Sequence, residues 1–553
     1  VTPEQLSDAI VAALTSLVDA GRVTLSDPVP SQVRVERPKV KEHGDYATNI
    51  AMQLGKKAGM NPREFAELLA TELAGADGIS AAEVAGPGFL NIRVAAGAQG
   101  EIARHVLEAG ATYGHGAPTG RKVDLEFISA NPTGPLHLGH TRWAAVGDAI
   151  ARVMAAAGDD VTREFYINDR GNQMDKFGAS LMARAHGEEP PEDGYHGAYV
   201  ADLAARIVEA DPGITSLPRD EQAVAFREAG YALQLHEHQS ELAELNTHFD
   251  VWFSERSLHE SDAVDRSLAR LREQGRLFEA DGATWMRTTD FGDDKDRVLL
   301  RGNGELTYFA SDTAYYVDKR DRGFDTCIYL LGADHHGYVG RLNAMAACVG
   351  DTPGEQIQVL IGQLVKILQN GQELKLSKRA GTIVSLRELI DLIGVDPLRY
   401  TLIRYPADSP LTLDVAEMTR KSNDNPVYYV QYAHARLSSI VRNGADLGLA
   451  ADLETFDPSQ LVEERAGALL RALAEFPRVV ARAAELREPH RIARYLEETA
   501  STFHKFYDEC RVLPQGDEEP TDTHRARLVL VAATRQVLAN GLDLLGVSAP
   551  DRM

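Results

Sequence analysis

Cysteine is scarce. The 553 residues contain three, Cys327, Cys348 and Cys510, with no paired spacing. A disulfide framework and a structural zinc site both need suitably spaced thiols, so neither is expected, and a reducing, cytoplasmic setting is. No apolar run approaches the length of a membrane span. The opening VTPEQLSDAI has no basic n-region and no apolar h-region, so no secretory signal is expected. Positive charge is in deficit too, with 58 Lys+Arg against 82 Asp+Glu and a net charge of −24. That excludes a general nucleic-acid coat protein, whose affinity comes from neutralised phosphates. A specific nucleic-acid partner needs only local basic surface, and the acidity is uneven: residues 421–553 hold 16 Lys+Arg against 20 Asp+Glu. What is present is ordinary globular composition, 44% hydrophobic and 25% charged, in a chain long enough for three or four domains.

The patterning divides the chain into three. Residues 1–110 read as an N-terminal α+β unit. It has a first helix near 3–20, the strand-like QVRVERP, helix from about 48 to 73 broken near Asn61-Pro62, the strand-like GFLNIRV, and a helix near 98–109. Between 115 and 400 strands alternate with helices, as in a parallel sheet with crossovers; candidate strands are 123–128, 161–167, 326–331 and 357–361. Long charged helical patterns from about 177 to 275 interrupt that rhythm as a helical insertion would. Residues 401–553 read as an all-α bundle. The expected fold class is therefore multidomain α/β.

The stretch SANPTGPLHLGHTR, residues 129–142, follows the alternating run Val123–Ile128 and precedes an amphipathic helix. His137 and His140 thus fall on a turn and the first turn of a helix, just beyond a strand. Two histidines without a third ligand do not make a zinc site. A neutral core pair remains open. So does an anion site: Pro135 helps fix the turn, Gly139 lets a ligand approach the backbone, and helix N–H groups face the same point. Two imidazole donors there suit the oxygens of a phosphate undergoing displacement. In LKLSKRAGT, residues 374–382, Lys375 and Lys378 flank a serine ahead of Gly381. Two surface lysines are the bland reading; a loop that clamps a leaving pyrophosphate is the functional one.

Together these segments resemble the two signatures of class I aminoacyl-tRNA synthetases, in which both flank ATP in a Rossmann-type catalytic domain. FISANPTGPLHLGHTRWAAVGDAIARVMAAAG, VTREFYINDRGNQ, YLLGADHHGY and the ending LLGVSAPDRM are similar to the arginyl-tRNA synthetases of the bacterial type. VERPKVKEHGDYATNIAM and GPGFLNIRV resemble that family's additional N-terminal domain, which touches tRNA. The resemblance covers essentially the whole chain. Arg379 departs from it, standing where the lysine signature usually ends in serine.

The resemblance implies roles for individual residues. His137 and His140 would stabilise the reacting phosphate of ATP, and Lys375 and Lys378 the leaving pyrophosphate. Pro135, Gly139, Gly362 and Gln363 would complete the ATP site, with Mg2+ accompanying the nucleotide. Glu126 and Asp312 would read the guanidinium of arginine, Tyr308 would pack along it, and Asn131 would hold its α-amino or carboxylate end. His335 and Asn91 would contribute to substrate binding. Guanidinium recognition independently favours carboxylates in fork geometry. Taken alone, Glu126 reads as a strand-end surface carboxylate and Asp312, after the strand-like LTYFASD, as a helix cap. The implied partners are arginine, ATP and tRNA(Arg), bound by a monomer with no membrane attachment. Its C-terminal helices, with Tyr428, Tyr429, Tyr432 and Arg436 among them, would read the anticodon. Arg487, Arg491 and Arg494 share one helical face in this reading. Two rivals stand beside it: an adenylyltransferase for a small substrate, and an RNA-binding relative with a dead site. The large flanking units count against the first, and His137, His140 and Lys378 against the second.

Overall fold

The computed structural model describes residues 2–38, 43–373 and 384–553. Lys375 and Lys378 lie outside them. Helix α1 (Pro3–Asp19) begins on a capping box, in which the Thr2 hydroxyl accepts the Gln5 N–H and the Gln5 side chain accepts the Thr2 N–H. Strand β1 (Tyr46–Thr48), helices α2 (Ile50–Gly55) and α3 (Pro62–Leu73), and strands β2 (Ile79–Ala85) and β3 (Phe89–Val94) complete the N-terminal unit, whose sheet is antiparallel in the order β1-β3-β2. Leu6, Ile10, Leu14 and Leu17 of α1, with Phe65, Leu69 and Leu73 of α3, form one core with Leu90 and Ile92. QVRVERP is not a full strand. Val33 and Val35 are buried, but the pairing is an isolated bridge between Glu36 and Ala47, and Pro38 has no N–H to extend it.

Helix α4 (Ala96–Ala109) was expected to end the N-terminal unit; it packs instead against the C-terminal helices. Its Ile102, Ala103 and Val106 belong to the main core, and Arg104 donates to the carbonyls of Leu453 (2.8 Å) and Phe456 (3.2 Å).

The middle of the chain runs β4 (Lys122–Phe127), α5 (Leu138–Ala156), β5 (Asp160–Ile167), α6 (Asn172–Ala185), α7 (Ala198–Ala210), α8 (Arg219–Glu244) and β6 (Val251–Ser254). It continues through α9 (Glu255–Glu260), α10 (Ala263–Glu273), the hairpin strands β7 (Leu277–Ala280), β8 (Ala283–Met286) and β9 (Arg297–Leu300), α11 (Tyr308–Asp321), β10 (Thr326–Gly332), α12 (Val339–Val349) and β11 (Ile357–Gly362). Five of these strands form an all-parallel sheet in the order β11-β10-β4-β5-β6. The chain moves from β4 outward through β5 to β6, then returns to β10 on the other side of β4. That reversal makes a crevice at the carboxyl ends of β4 and β10. The inserted helices α6–α8 end before β6, so the expected insertion at 177–275 is shorter at its C-terminal end. Strand β6 is four residues long and offers too little alternation to be read locally. LTYFASD is likewise not a strand: Thr307 caps α11, accepting the Ala310 N–H, and Tyr308 to Asp312 form its first turns.

Strand β12 (Val365–Gln369) runs parallel to β14 (Leu411–Asp414) and pairs with the short β13 (Gln372–Glu373). Helices α13 (Leu386–Ile393) and α14 (Val395–Ile403) precede β14, and α15 (Val415–Met418) follows it. Helices α16 (Pro426–Asp446), α17 (Glu464–Leu486), α18 (His490–Glu509) and α19 (Asp522–Leu544) then form the C-terminal bundle. Arg487 does not share a helical face with Arg491 and Arg494, because it sits at φ +56° in the turn between α17 and α18. Tyr428 and Tyr432 stack with ring centroids 6.1 Å apart, and the Arg436 guanidinium lies 4.5 Å from the Tyr507 ring.

One side chain joins these units. Arg399, fully buried on α14, donates to Asp148 Oδ2 of α5 (2.6 Å), to Leu245 O after α8 (2.9 Å) and to Leu545 O after α19 (2.9 and 3.0 Å). Gly546 at φ +64° is where the chain passes it; a Cβ there would stand 2.2 Å from Arg399 Nη2.

Candidate active site

Strand β4 alternates. Val123, Leu125 and Phe127 face one way, and Phe127 packs so closely on α5 that a Cβ at Gly147 would come within 2.4 Å of its ring. Asp124 and Glu126 face the other way, yet they are buried rather than solvated. Lys319 of α11, fully buried, reaches Asp124 Oδ1 at 2.5 Å, Glu126 Oε2 at 2.8 Å and Glu164 Oε1 at 3.5 Å, between the rings of Tyr315 and Tyr329. Arg322 donates to both oxygens of Glu164. Burial works against the Lys319 charge, but Asp124 and Glu126 outweigh it and hold its pKa well above the ordinary lysine range.

Immediately after β4, Ile128 adopts φ +60°, a costly conformation for a β-branched residue. The reversal lets the Ser129 hydroxyl donate to Glu126 Oε1 at 2.9 Å. Both oxygens of Glu126 are therefore engaged within the protein, and it does not present the open fork expected from sequence. Asp312, inside α11 rather than at its cap, keeps more acceptor capacity: Tyr338 O–H donates to Oδ2. Burial pushes the Asp312 carboxyl up to about 6, against the hydrogen bond from Tyr338. These groups line a cavity of about 380 Å³ with Asn131, Tyr166, Asn168, Tyr315, Tyr329 and His335. Tyr308 lies outside that lining, 75% exposed and one turn ahead of Asp312. Asn91 lies on β3, paired with Ala47 and Glu83 in the N-terminal sheet, and lines neither this cavity nor the next.

The second cavity, of about 1080 Å³, adjoins the first at Ser129 and Asn131 and is lined by Pro135, His137, His140, Gln173 and the segment 192–197. The two histidines build the start of α5 themselves. His137 is the cap, its Nδ1 accepting the Gly139 N–H (3.2 Å), while His140 Nδ1 accepts the His137 N–H (3.3 Å). An imidazole nitrogen that accepts from the backbone carries no proton, so the proton of each ring sits on Nε2. The rings stack with centroids 3.9 Å apart.

Two further contacts fix this end of the sheet. Arg142 is buried and donates to the carbonyls of Gln363 (2.6 Å), Ser409 and Pro406 (both 3.0 Å). Trp143 lies over Gly362 so closely that a Cβ there would stand 1.8 Å from its Cη2. Gly362→Ala is therefore expected to cost about 1–3 kcal/mol of stability through overpacking, read as a lowered urea midpoint. A midpoint matching the wild type would mean that Trp143 can swing aside. On either side of residues 374–383, Glu373 pairs in the β12–β13 hairpin and the Leu386 N–H donates to Leu136 O at 2.8 Å.

Lys319, Tyr338, Ser129 and the buried Glu255 were missed from sequence. A lysine in a charged helix signals solvent, and only the fold turns Lys319 inward. Glu255, 4% exposed, follows the unread strand β6; burial first, then Asp312 nearby, push its carboxyl up to about 7.

A parallel sheet with a His-Leu-Gly-His turn at its switch point is the arrangement that the resemblance to class I aminoacyl-tRNA synthetases implies. The match of residues 102–210 and 217–395 to a class I catalytic-domain model places the chain in that class. The comparisons narrow the class. Residues 4–94 match the model of the arginyl-tRNA synthetase N-terminal domain, 102–210 and 217–395 that of the class I (R) catalytic domain, and 430–553 that of the DALR anticodon-binding domain. Proteins named arginine–tRNA ligase from Kineococcus radiotolerans and Paenarthrobacter aurescens are 57% and 56% identical, each over 100% of both chains. The structure of Thermus thermophilus arginyl-tRNA synthetase shares the fold, with a TM-score of 0.74 and 23% identity over 99% of both chains. The chain belongs to the arginyl-tRNA synthetase family.

Proposed function

We propose that this protein activates arginine with ATP and transfers the arginyl group from the adenylate to the 3′ end of tRNA(Arg), releasing AMP and pyrophosphate. The observation that carries the reading is the adjoining pair of cavities at the switch point, one acidic and one built around the histidine turn. In the acidic cavity Asp312 takes the guanidinium charge, with Glu126 fixed beside it by Lys319 and Ser129. Asn131, common to both cavities, holds the α-amino or carboxylate end, with His335 near it at the wall. Tyr308, at the rim, covers the bound side chain. In the larger cavity the Nε2–H groups of His137 and His140 donate to oxygens of the phosphate under attack, where developing charge makes such bonds most effective. Pro135 and Gly139 shape that end, and the backbone of Gly362 and Gln363 flanks the adenine. Lys375 and Lys378 take the charge of the leaving pyrophosphate. Mg2+ enters with the ATP phosphates rather than in a protein cage.

The C-terminal helices read the anticodon, and the N-terminal unit touches tRNA. The protein acts as a monomer in the cytoplasm, a setting that suits three buried, unbridged cysteines. No helix among the described residues is long and apolar enough to cross a membrane. Aminoacylation assayed with each of the twenty amino acids and cognate tRNA tests the function. Charging with arginine alone is expected; activation without transfer to tRNA would favour a small-molecule adenylyltransferase.

A further inference from the structure

The turn Pro132-Thr133-Gly134-Pro135, which delivers the chain to His137, has no N–H at either proline and is poor in internal hydrogen bonds. Its carbonyls are held from outside. Tyr199 of α7 donates its hydroxyl to Thr133 O at 2.8 Å, and His238 of α8 approaches Gly134 O at 2.8 Å through Nε2. A carbonyl only accepts, so His238 carries its proton on Nε2. The ring is fully buried, and burial drives its pKa down to about 4, which keeps it neutral. Its Nδ1 has no hydrogen-bond partner among the described residues, so the ring sits there at a cost to stability. Gly134 admits the clamp closely: a Cβ would stand 3.2 Å from the Tyr199 oxygen. Two residues on, Leu136 O accepts from Leu386 N–H of α13. The approach to the histidines is thus held by three separate elements, two of them in the helical insertion.

We propose that Tyr199 and His238 are positioning residues for adenylate formation. They fix the turn that sets where His137 and His140 stand, and so make the helical insertion part of the catalytic apparatus. The proposal rests on the reading of the two histidines as phosphate-charge stabilisers. Tyr199 also lines the larger cavity, but neither residue lines the acidic one, so their loss acts on rate and leaves arginine recognition in place. Displacements on the order of 1 Å at reacting groups cost about a hundredfold in rate; loosening one of two clamps is expected to cost about tenfold.

The test uses the full-length protein and cognate tRNA, with kcat and the KM for arginine measured for Tyr199→Phe, His238→Leu, His238→Gln and His140→Asn. Tyr199→Phe removes one oxygen and keeps the packing. Expected are a kcat lowered about tenfold in Tyr199→Phe and in His238→Leu, an unchanged arginine KM, and recovery of most of the rate in His238→Gln, whose amide can donate near the position of Nε2. Wild-type kcat in Tyr199→Phe, with His140→Asn slow, would overturn the clamp while leaving the histidine reading intact. His238→Gln no faster than His238→Leu would do the same, by showing that the ring serves packing only. A wild-type rate in His140→Asn would overturn the histidine reading, and the clamp with it.

Discussion

Replacing Asp312 with asparagine is expected to weaken arginine binding several hundred- to several thousand-fold. The asparagine keeps the shape and can still bond Tyr338, but it removes the carboxylate proposed to meet the guanidinium. Removing one partner of a buried ion pair commonly costs about 3–5 kcal/mol, which is that range of affinity. Because both oxygens of Glu126 are engaged by Lys319 and Ser129, Glu126 is poorly placed to compensate. Citrulline, which is uncharged, should lose its disadvantage against arginine in the variant, and ATP affinity should hardly change. A pH arm follows from the Asp312 carboxyl, which burial raises to about 6. Arginine affinity should fall as pH drops through about 6, where the carboxylate takes up a proton. The stability of the unliganded protein runs the opposite way: a raised folded-state pKa stabilises the fold at low pH and loses that contribution between about pH 4 and 6. Calorimetric titration of both proteins with arginine, ATP and citrulline decides the matter. Equal arginine affinities would reduce Asp312 to a structural residue.

Lys319→Met is expected to lower the stability of the whole catalytic unit by about 3–5 kcal/mol, a large part of the roughly 5–15 kcal/mol typical of folded proteins. Methionine preserves length and suits the contacts with Tyr315 and Tyr329, so the loss is one of charge. Asp124 and Glu164 would be left buried without the ammonium. In the wild type, burial works to raise Glu164, but Lys319 and Arg322 outweigh it and hold the carboxyl below its ordinary range. Without Lys319 these carboxyls rise, so the variant should regain stability as pH falls from 8 towards 5. Thermal unfolding across that range tests it. A melting temperature equal to the wild type at pH 8 would show that the carboxylates do not need the lysine.

The sequence made the histidine turn and strand β4 legible because each is a local pattern: helix-start chemistry and alternation. It was silent where the cause is tertiary. LTYFASD has the aromatic content of a strand, but the Thr307 cap and the packing of Phe309, Ala310 and Ala314 make it a helix. That correction changes the chemistry, since within a helix Asp312 and Lys319 lie two turns apart on the face turned to β4. Asp124 and Glu126 were read from alternation as one face of β4, but nothing local says that this face is dry. The Tyr199 and His238 contacts span 66 and 104 residues of sequence, beyond the reach of any local window.

The Arg399 junction bears on how far the protein can be divided. The matched family segments partition the sequence, but the cores do not partition the molecule. Ala149 and Ile150 of the histidine-bearing helix share one apolar core with Leu538 and Leu542 of the last helix. The same guanidinium that holds Asp148 of that helix also donates to the Leu545 carbonyl, just after the last helix. A catalytic segment cut at residue 400 would take Leu545 O away from the Arg399 guanidinium and leave a core face open to water. The C-terminal bundle is therefore a wall of the catalytic unit as well as an appendage to it. Grafting a different bundle onto this sheet would mean rebuilding the junction, not merely changing a linker.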